Sequence, residues 1–265
     1  MNPPVNRRVN PGVDWSGHID AIRADTERMA AAYEAGPTDA AVAACPGWDV
    51  RDLVEHMAYI HRWAGFAVRH GRPPEPGDVD VAAEDADLAA WLRAGGNTLA
   101  DDLAAADPQA DTWHVFPAEQ KMWVWARRQA QETAMHRWDA ETATGGRSSL
   151  DPVLAANGVE EYLELGLPRV LIRESVTPPE STLHLRATDV ASDWTITSEA
   201  GVCTVQARVG EAAAETAAEV PSGEAALHGT AESLLLVLMG RADRAAIEIV
   251  GDPAVADEWL SLPGW

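Results

Sequence analysis

The strongest constraint on the fold is a change of hydrophobic periodicity near residue 178. Before it, apolar residues recur every three or four positions, which is typical of helices that pack on one side. After it, the stretches TLHLRATD, DWTITSEA and VCTVQARV alternate apolar and polar residues, which is typical of half-buried strands. We therefore predict an α+β chain with a helical domain at residues 1–177 and a small α+β domain at residues 178–265.

Capping residues and turn residues indicate where the helices of the first domain begin and end. The second helix is predicted to begin after Asp49, an N-cap with Asp52 at the capping-box position, and to end near Gly71. Gly95 and Gly96 are expected to weaken the third helix. The predicted helices cover residues 14–35, 50–71, 85–107 and 118–144, and a further one begins at 151 and breaks near residue 166.

The second domain is expected to contain more than the three strands. AESLLLVLMGR is predicted as a short helix, AIEIVG as a strand and PAVADEWLSL as a closing helix. The alanine-rich segment EAAAETAAE, residues 211–219, is expected to be an exposed connection. No internal repeat is visible in the sequence.

The net charge and the cysteine content restrict which binding partners and which cellular compartment we expect. The 42 acidic and 20 basic residues give a net charge of −22, which repels phosphate backbones, so nucleic acids and anionic membranes are not expected to bind. No apolar run approaches about 18 residues, and the N-terminus lacks the apolar stretch of a secretory signal. Two cysteines make no disulfide framework, which favours a reduced cytoplasm. A reacting thiol would then come from outside the chain.

The segment QETAMHRWDAET contains the residues that indicate chemistry. Glu132 and His136 are four positions apart, so in a helix both side chains point to one side. His56 lies on the apolar stripe of the second helix, whereas His61 is about 140° around that helix and is expected nearer the surface. Two imidazoles and one carboxylate from facing helices form a zinc site with an open position, or a ferrous iron site.

The same residues allow simpler interpretations. A Glu and a His four apart on a helix are more often a surface pair that contributes a few tenths of a kcal/mol. His56 on an apolar stripe is more often a hydrogen-bonded core histidine. The spacing alone does not choose between these interpretations and a metal site.

Three stretches resemble the actinobacterial maleylpyruvate isomerase family of the DinB-like superfamily: CPGWDVRDLVEHMAYIHRWA, WARRQAQETAMHRWDAE and GVEEYLEL. The resemblance implies a four-helix bundle that binds a divalent metal, usually zinc, through His56, Glu132 and His136. It also implies mycothiol as thiol cofactor or cosubstrate. Metal coordination deprotonates a thiol whose ordinary pKa is about 8.5, which yields a nucleophile at neutral pH.

Four further residues are candidates for thiol or substrate binding. Asp139 either orients a ligand histidine or pairs with an arginine. Arg128 either meets an anionic substrate or is simply exposed. Trp63 and Trp125 lie seven positions from His56 and Glu132 and either line a pocket above the metal or belong to the core.

The resulting hypothesis is a cytoplasmic metal-dependent enzyme that activates mycothiol. Its reaction is S-transfer to, or cis–trans isomerisation of, an electrophilic small molecule such as maleylpyruvate, and the protein is a monomer or a homodimer. One alternative is a non-enzymatic zinc-binding regulatory or interaction module. The other is a metal-dependent hydrolase with water in place of the thiol.

Overall fold

A computed structural model describes residues 13–83, 85–210 and 220–264. The described chain forms two compact units: one contains residues 15–151 and 164–169, and the other contains residues 152–163 and the chain from 170 onward. The domain boundary near residue 178 stays a prediction. The connection expected at residues 211–219 lies outside the described residues.

The first unit is built on four helices: α1 (Trp15–Ala35), α2 (Val50–His70), α3 (Leu88–Ala105) and α4 (Trp123–Ala143). The α1 helix packs against α4 and α3, and α2 packs against α3 and α4. Their shared core consists of residues from which water is excluded, among them Met29, Leu53, Met57 and Leu92. Burying large apolar side chains in this way supplies the main drive for helix association.

Close packing of α3 explains its two central glycines. A Cβ atom at Gly95 would lie 2.5 Å from Nη1 of Arg62, and one at Gly96 would lie 2.5 Å from Oγ1 of Thr26. Arg62 also lies over the Trp91 ring, 3.6 Å from its centroid. The glycines lower the helical propensity of α3, and they let α1 and the Arg62 side chain approach it closely.

The ends of α2 agree with the sequence, whereas the start of α4 does not. Asp49 and Asp52 form the predicted capping box. The α4 helix begins at Trp123, five residues after the predicted start at 118. An isolated bridge between Asp111 and Lys121, and a bond from the His114 backbone N–H to Gln120 Oε1 of 2.9 Å, hold the preceding residues in a loop.

The second unit contains a mixed sheet. Its strands are β1 (Leu183–Ala187), β2 (Ser192–Glu199), β3 (Val202–Val209), β4 (Ala225–Gly229) and β5 (Glu248–Gly251), in the spatial order β3-β2-β1-β4-β5. The β1–β4 pair is parallel and the other neighbours are antiparallel. The β4 strand is absent from the sequence prediction because its five residues, AALHG, do not alternate in polarity.

Helices complete both units. The α5 helix (Pro152–Glu161) continues through a π-helical turn at Tyr162–Gly166 into α6 (Leu167–Glu174), so the break predicted near residue 166 is a change of helix type in a continuous helical segment. In the second unit α7 (Ala231–Leu238) packs on α5 and the sheet, and α8 (Pro253–Leu260) packs on the sheet. This architecture confirms the predicted α+β class. None of the described helices has the length and apolarity that a membrane crossing needs.

Candidate metal centre

The three residues singled out by sequence meet between α2 and α4. One ligand atom from each of His56, Glu132 and His136 lies within 4.8 Å of the others. Glu132 Oε1 is 3.5 Å from Nε2 of His136 and 3.9 Å from Nε2 of His56. The two imidazole rings are nearly perpendicular, with centroids 5.5 Å apart. We call these three residues the site cluster.

The donor set and its spacing fit a divalent cation. Two imidazole nitrogens and one carboxylate oxygen are the ligands of many catalytic zinc sites. Bonds of about 2.0–2.1 Å in tetrahedral geometry place ligand atoms about 3.3 Å apart, close to the 3.5 and 3.9 Å that separate Glu132 Oε1 from the two histidine nitrogens. The side chains of His56, Glu132 and His136 are 29%, 23% and 12% exposed, so the cluster is partly accessible to solvent.

Glu132 uses its second oxygen differently. Arg128, one turn earlier on α4, donates a hydrogen bond from Nη2 to Glu132 Oε2. Burial opposes the carboxylate charge, but the Arg128 charge and the neighbouring imidazoles of His136 and His56 outweigh it and hold the pKa of Glu132 well below its usual value. Arg128 is buried, so the expectation that it is simply exposed is wrong.

Asp139 holds the ring of His136. Its Oδ2 lies 3.1 Å from Nδ1 of His136, and its side chain is 1% exposed. Burial disfavours the imidazolium, but the hydrogen bond to Asp139 and the nearby Glu132 carboxylate raise the pKa of His136 to about 9. Below that pKa the imidazole holds protons on both nitrogens, so a cation would have to displace the proton on Nε2. The Nδ1–H would stay bonded to Asp139, which is the arrangement of carboxylate–histidine–metal groups. This contact favours the first of the two interpretations of Asp139.

The CPGW turn before α2 flanks both histidines. The Trp48 ring contacts His56, with centroids 4.9 Å apart. Cys45 forms a second group of potential metal ligands with His136 and Asp139, whose ligand atoms also lie within 4.8 Å of one another. A positive φ of 87° at Gly47 allows the turn. Cys45 was not predicted to lie beside the site, and its position in the turn directly before α2 is the feature of the sequence that indicates this location.

The location predicted for His61 is wrong. It was expected near the surface, but its side chain is fully buried and its Nε2 lies 2.9 Å from Oγ1 of Thr133. Because that hydroxyl donates to the Gln129 carbonyl, His61 Nε2 acts as the donor. Burial lowers the pKa of His61 to about 3, so this histidine is neutral and structural. The α2 helix packs on both α3 and α4, which buries a second face that an apolar stripe does not reveal.

The two predicted tryptophans belong to an aromatic cluster. Trp63 and Trp125 meet edge to face with centroids 5.7 Å apart, and Trp113 contacts both. Trp125 is buried and donates from Nε1 to the Trp113 carbonyl at 2.9 Å. These contacts give both residues a packing role, and their role in lining a pocket stays a prediction.

A family model matches the helical part of the chain. Residues 19–141 match the family model described as the mycothiol maleylpyruvate isomerase N-terminal domain. The matched range contains the whole site cluster, and it confirms the resemblance expected from the sequence. Two uncharacterised proteins from strains of Mycobacterium tuberculosis are 29% identical over 140 residues, which is 51% of this chain and 68% of each relative.

Solved structures share the fold over nearly the whole chain. A crystal structure of mycothiol-dependent maleylpyruvate isomerase superposes with a TM-score of 0.55 at 9% identity, over 96% of this chain and 98% of that one. A histidine-to-alanine variant superposes over the same shares with a TM-score of 0.60 at 10% identity. At such low identity these matches establish the fold alone.

Proposed function

We propose, from the match of residues 19–141 to the mycothiol maleylpyruvate isomerase N-terminal domain, that this chain is a cytoplasmic mycothiol-dependent enzyme. It binds one divalent cation, zinc, through His56, Glu132 and His136. Its reaction is S-transfer to, or cis–trans isomerisation of, an electrophilic small molecule such as maleylpyruvate. The observation that carries the proposal is the convergence of three ligand atoms within 4.8 Å on two facing helices.

The chemistry divides between the bound groups and the chain. When bound, a divalent cation would supply the positive charge that makes a thiol acidic, so that a thiolate nucleophile would be available at neutral pH. Glu132 contributes negative charge that offsets part of the cation's charge. Asp139 keeps a proton on Nδ1 of His136, which fixes the ring so that Nε2 remains a ligand.

The chain's own cysteines support the use of an external thiol. Cys203 lies on β3 in the second unit, and burial raises the pKa of its thiol to about 11. A thiol of that pKa is almost entirely protonated at neutral pH and is a poor nucleophile. Cys45 neighbours His136, whose Nε2 is assigned to the cation in this proposal.

Metal analysis tests the site. Purified wild type should carry about one zinc per chain, and His56→Ala should lose it, because two remaining ligands make a weak site. His70→Ala is the matched control, since His70 is an exposed histidine in the last turn of the same helix. Equal metal content in the wild type and His56→Ala would remove the proposed site.

Thiol binding tests the use of the site. Calorimetric titration of the zinc-loaded protein with mycothiol should give saturable heat, and His56→Ala should give none. Absence of heat in the zinc-loaded wild type would favour a non-enzymatic zinc-binding module. Turnover of an ester or amide substrate without added thiol would favour a hydrolase.

A further inference from the structure

The two oxygens of Glu132 face different partners. Oε1 faces Nε2 of both site histidines, at 3.5 and 3.9 Å. Oε2 accepts the hydrogen bond from Arg128, and the Arg128 side chain is only 8% exposed. The carboxylate is therefore held with one oxygen facing the site histidines and the other bonded to Arg128.

We propose that Arg128 is a positioning residue that restricts Glu132 to ligation of the cation through a single oxygen. The proposal rests on the proposed metal site and concerns how that site keeps a coordination position for the thiol. A carboxylate that binds through both oxygens fills two positions, so two histidines and a bidentate Glu132 would occupy the four positions of a tetrahedral centre. Pairing with Arg128 leaves Oε2 engaged and one position available.

The location of Arg128 suits this role better than contact with substrate. A guanidinium has five N–H donors in a fixed plane and stays charged at all working pH values, so it holds a carboxylate oxygen in a defined direction. The i, i+4 spacing places Arg128 and Glu132 on the same face of α4. Because the pair is mostly withdrawn from water, its attraction is screened less than that of a surface pair.

Cobalt(II) substitution provides the readout, because the intensity of its d–d absorption falls as coordination number rises. The protein is saturated with Co²⁺ before spectra are compared, so that differences in affinity do not enter. In Arg128→Met the freed Oε2 should join the cation, and the d–d intensity should fall about twofold relative to the wild type. Mycothiol should then bind more weakly, because the position it needs is filled.

Arg127→Met is the matched control. Arg127 is the preceding residue on α4, its side chain is 7% exposed, and it donates to Glu164 Oε2 at 2.7 Å. This variant loses a buried ion pair of similar burial without touching the site cluster, so its cobalt spectrum should match the wild type. Arg128→Lys keeps the positive charge without the planar fork and carries the same test if Arg128→Met does not fold.

The outcomes separate this inference from the proposed function. A wild type that binds no stoichiometric Co²⁺ refutes the metal site itself. Stoichiometric binding with superposable spectra for wild type and the folded Arg128 variant overturns the inference and leaves the site standing. A spectral change of equal size in Arg127→Met also overturns it, because the effect would then follow from general destabilisation of α4.

Discussion

The α4 helix contributes to two polar clusters of similar composition. They differ in how completely their polar atoms are paired in hydrogen bonds. The site cluster faces α2. The second cluster, which we call the Arg137 network, comprises Arg137, Asp25, Glu141 and Arg28. Arg137 is 1% exposed and donates to Asp25 at 3.0 Å and to Glu141 at 2.9 Å. Arg28 reaches Glu141 with two hydrogen bonds of 2.9 Å.

The difference separates a structural cluster from a binding site. In the Arg137 network, donors and acceptors meet at hydrogen-bond distance, and opposite charges are paired. In the site cluster, two imidazole Nε2 atoms face one carboxylate oxygen at 3.5 and 3.9 Å, too far for good hydrogen bonds. Ligand-type atoms that converge without bonding one another closely leave space that a cation fits.

Breaking the Arg137 network should give the largest change in stability. Arg137→Met leaves the buried Asp25 carboxylate without the guanidinium that pairs with it, which should lower the free energy of unfolding by about 3–5 kcal/mol. Urea unfolding measures this. Arg28→Met, whose side chain is 45% exposed, should cost no more than about 1 kcal/mol. Zinc content per folded chain should be unchanged in both variants. A loss of zinc in folded Arg137→Met would show that the Arg137 network and the site cluster depend on each other.

The buried, neutral His61 should make the stability of the protein depend on pH under acidic conditions. The folded pKa of His61, about 3, lies below its unfolded value of 6.5, so the folded state binds fewer protons. Its contribution to stability is present above pH 6.5 and is lost as pH falls towards 3, at up to about 1.4 kcal/mol per pH unit. In urea unfolding of metal-free protein, His61→Gln should lose less stability over this range than wild type does.

His70→Gln is the control for that experiment, because His70 is exposed on the same helix. Its stability should fall with acid as steeply as that of the wild type. A His61→Gln profile parallel to the wild type would show that His61 is not held neutral in the folded state.

Removing the partner of a ligand histidine should have an intermediate effect. In Asp139→Asn the fixed negative partner of His136 Nδ1 is lost, which should weaken zinc binding about 10–100-fold. Competition with a chromophoric chelator measures the dissociation constant. Glu141→Gln changes a carboxylate on the same helix in the Arg137 network, and it should leave the constant within about twofold of the wild type. Equal losses of zinc affinity in Asp139→Asn and Glu141→Gln would contradict the separate roles of the site cluster and the Arg137 network.

The smallest effect is expected at a residue outside both clusters. Asp49→Ala removes the capping box of α2, in which the Asp49 side chain accepts from the Asp52 N–H at 2.9 Å. Loss of an N-cap should cost about 1 kcal/mol in thermal or urea unfolding. Zinc affinity should not change, because His56 lies nearly two turns further along the helix.

Local patterns predicted the site cluster more fully than they predicted its surroundings. The i, i+4 spacing placed Glu132 and His136 together, and the apolar stripe brought His56 towards α4. The capping box of α2 and the glycine-rich centre of α3 were also visible in the sequence. The family resemblance named the same three site residues.

Tertiary packing decided what the sequence did not reveal. Arg127, Arg128 and Arg137 are buried on α4 although arginine is usually exposed. Their partners come from elsewhere in the chain or from the same helix, so the polarity of the α4 sequence does not predict which of its residues are exposed. His61 is buried because a second face of α2 is also covered. The β4 strand is recognised only by its pairing with β1 and β5, since AALHG lacks the alternation of a half-buried strand.

The most direct test is an anomalous difference map at the zinc absorption edge, from crystals grown with zinc. The account predicts one peak bonded to His56, Glu132 and His136 at about 2.0–2.2 Å, with one coordination position not filled by a protein atom. A peak held instead by Cys45, His136 and Asp139, or a fourth protein ligand on the predicted ion, would contradict it.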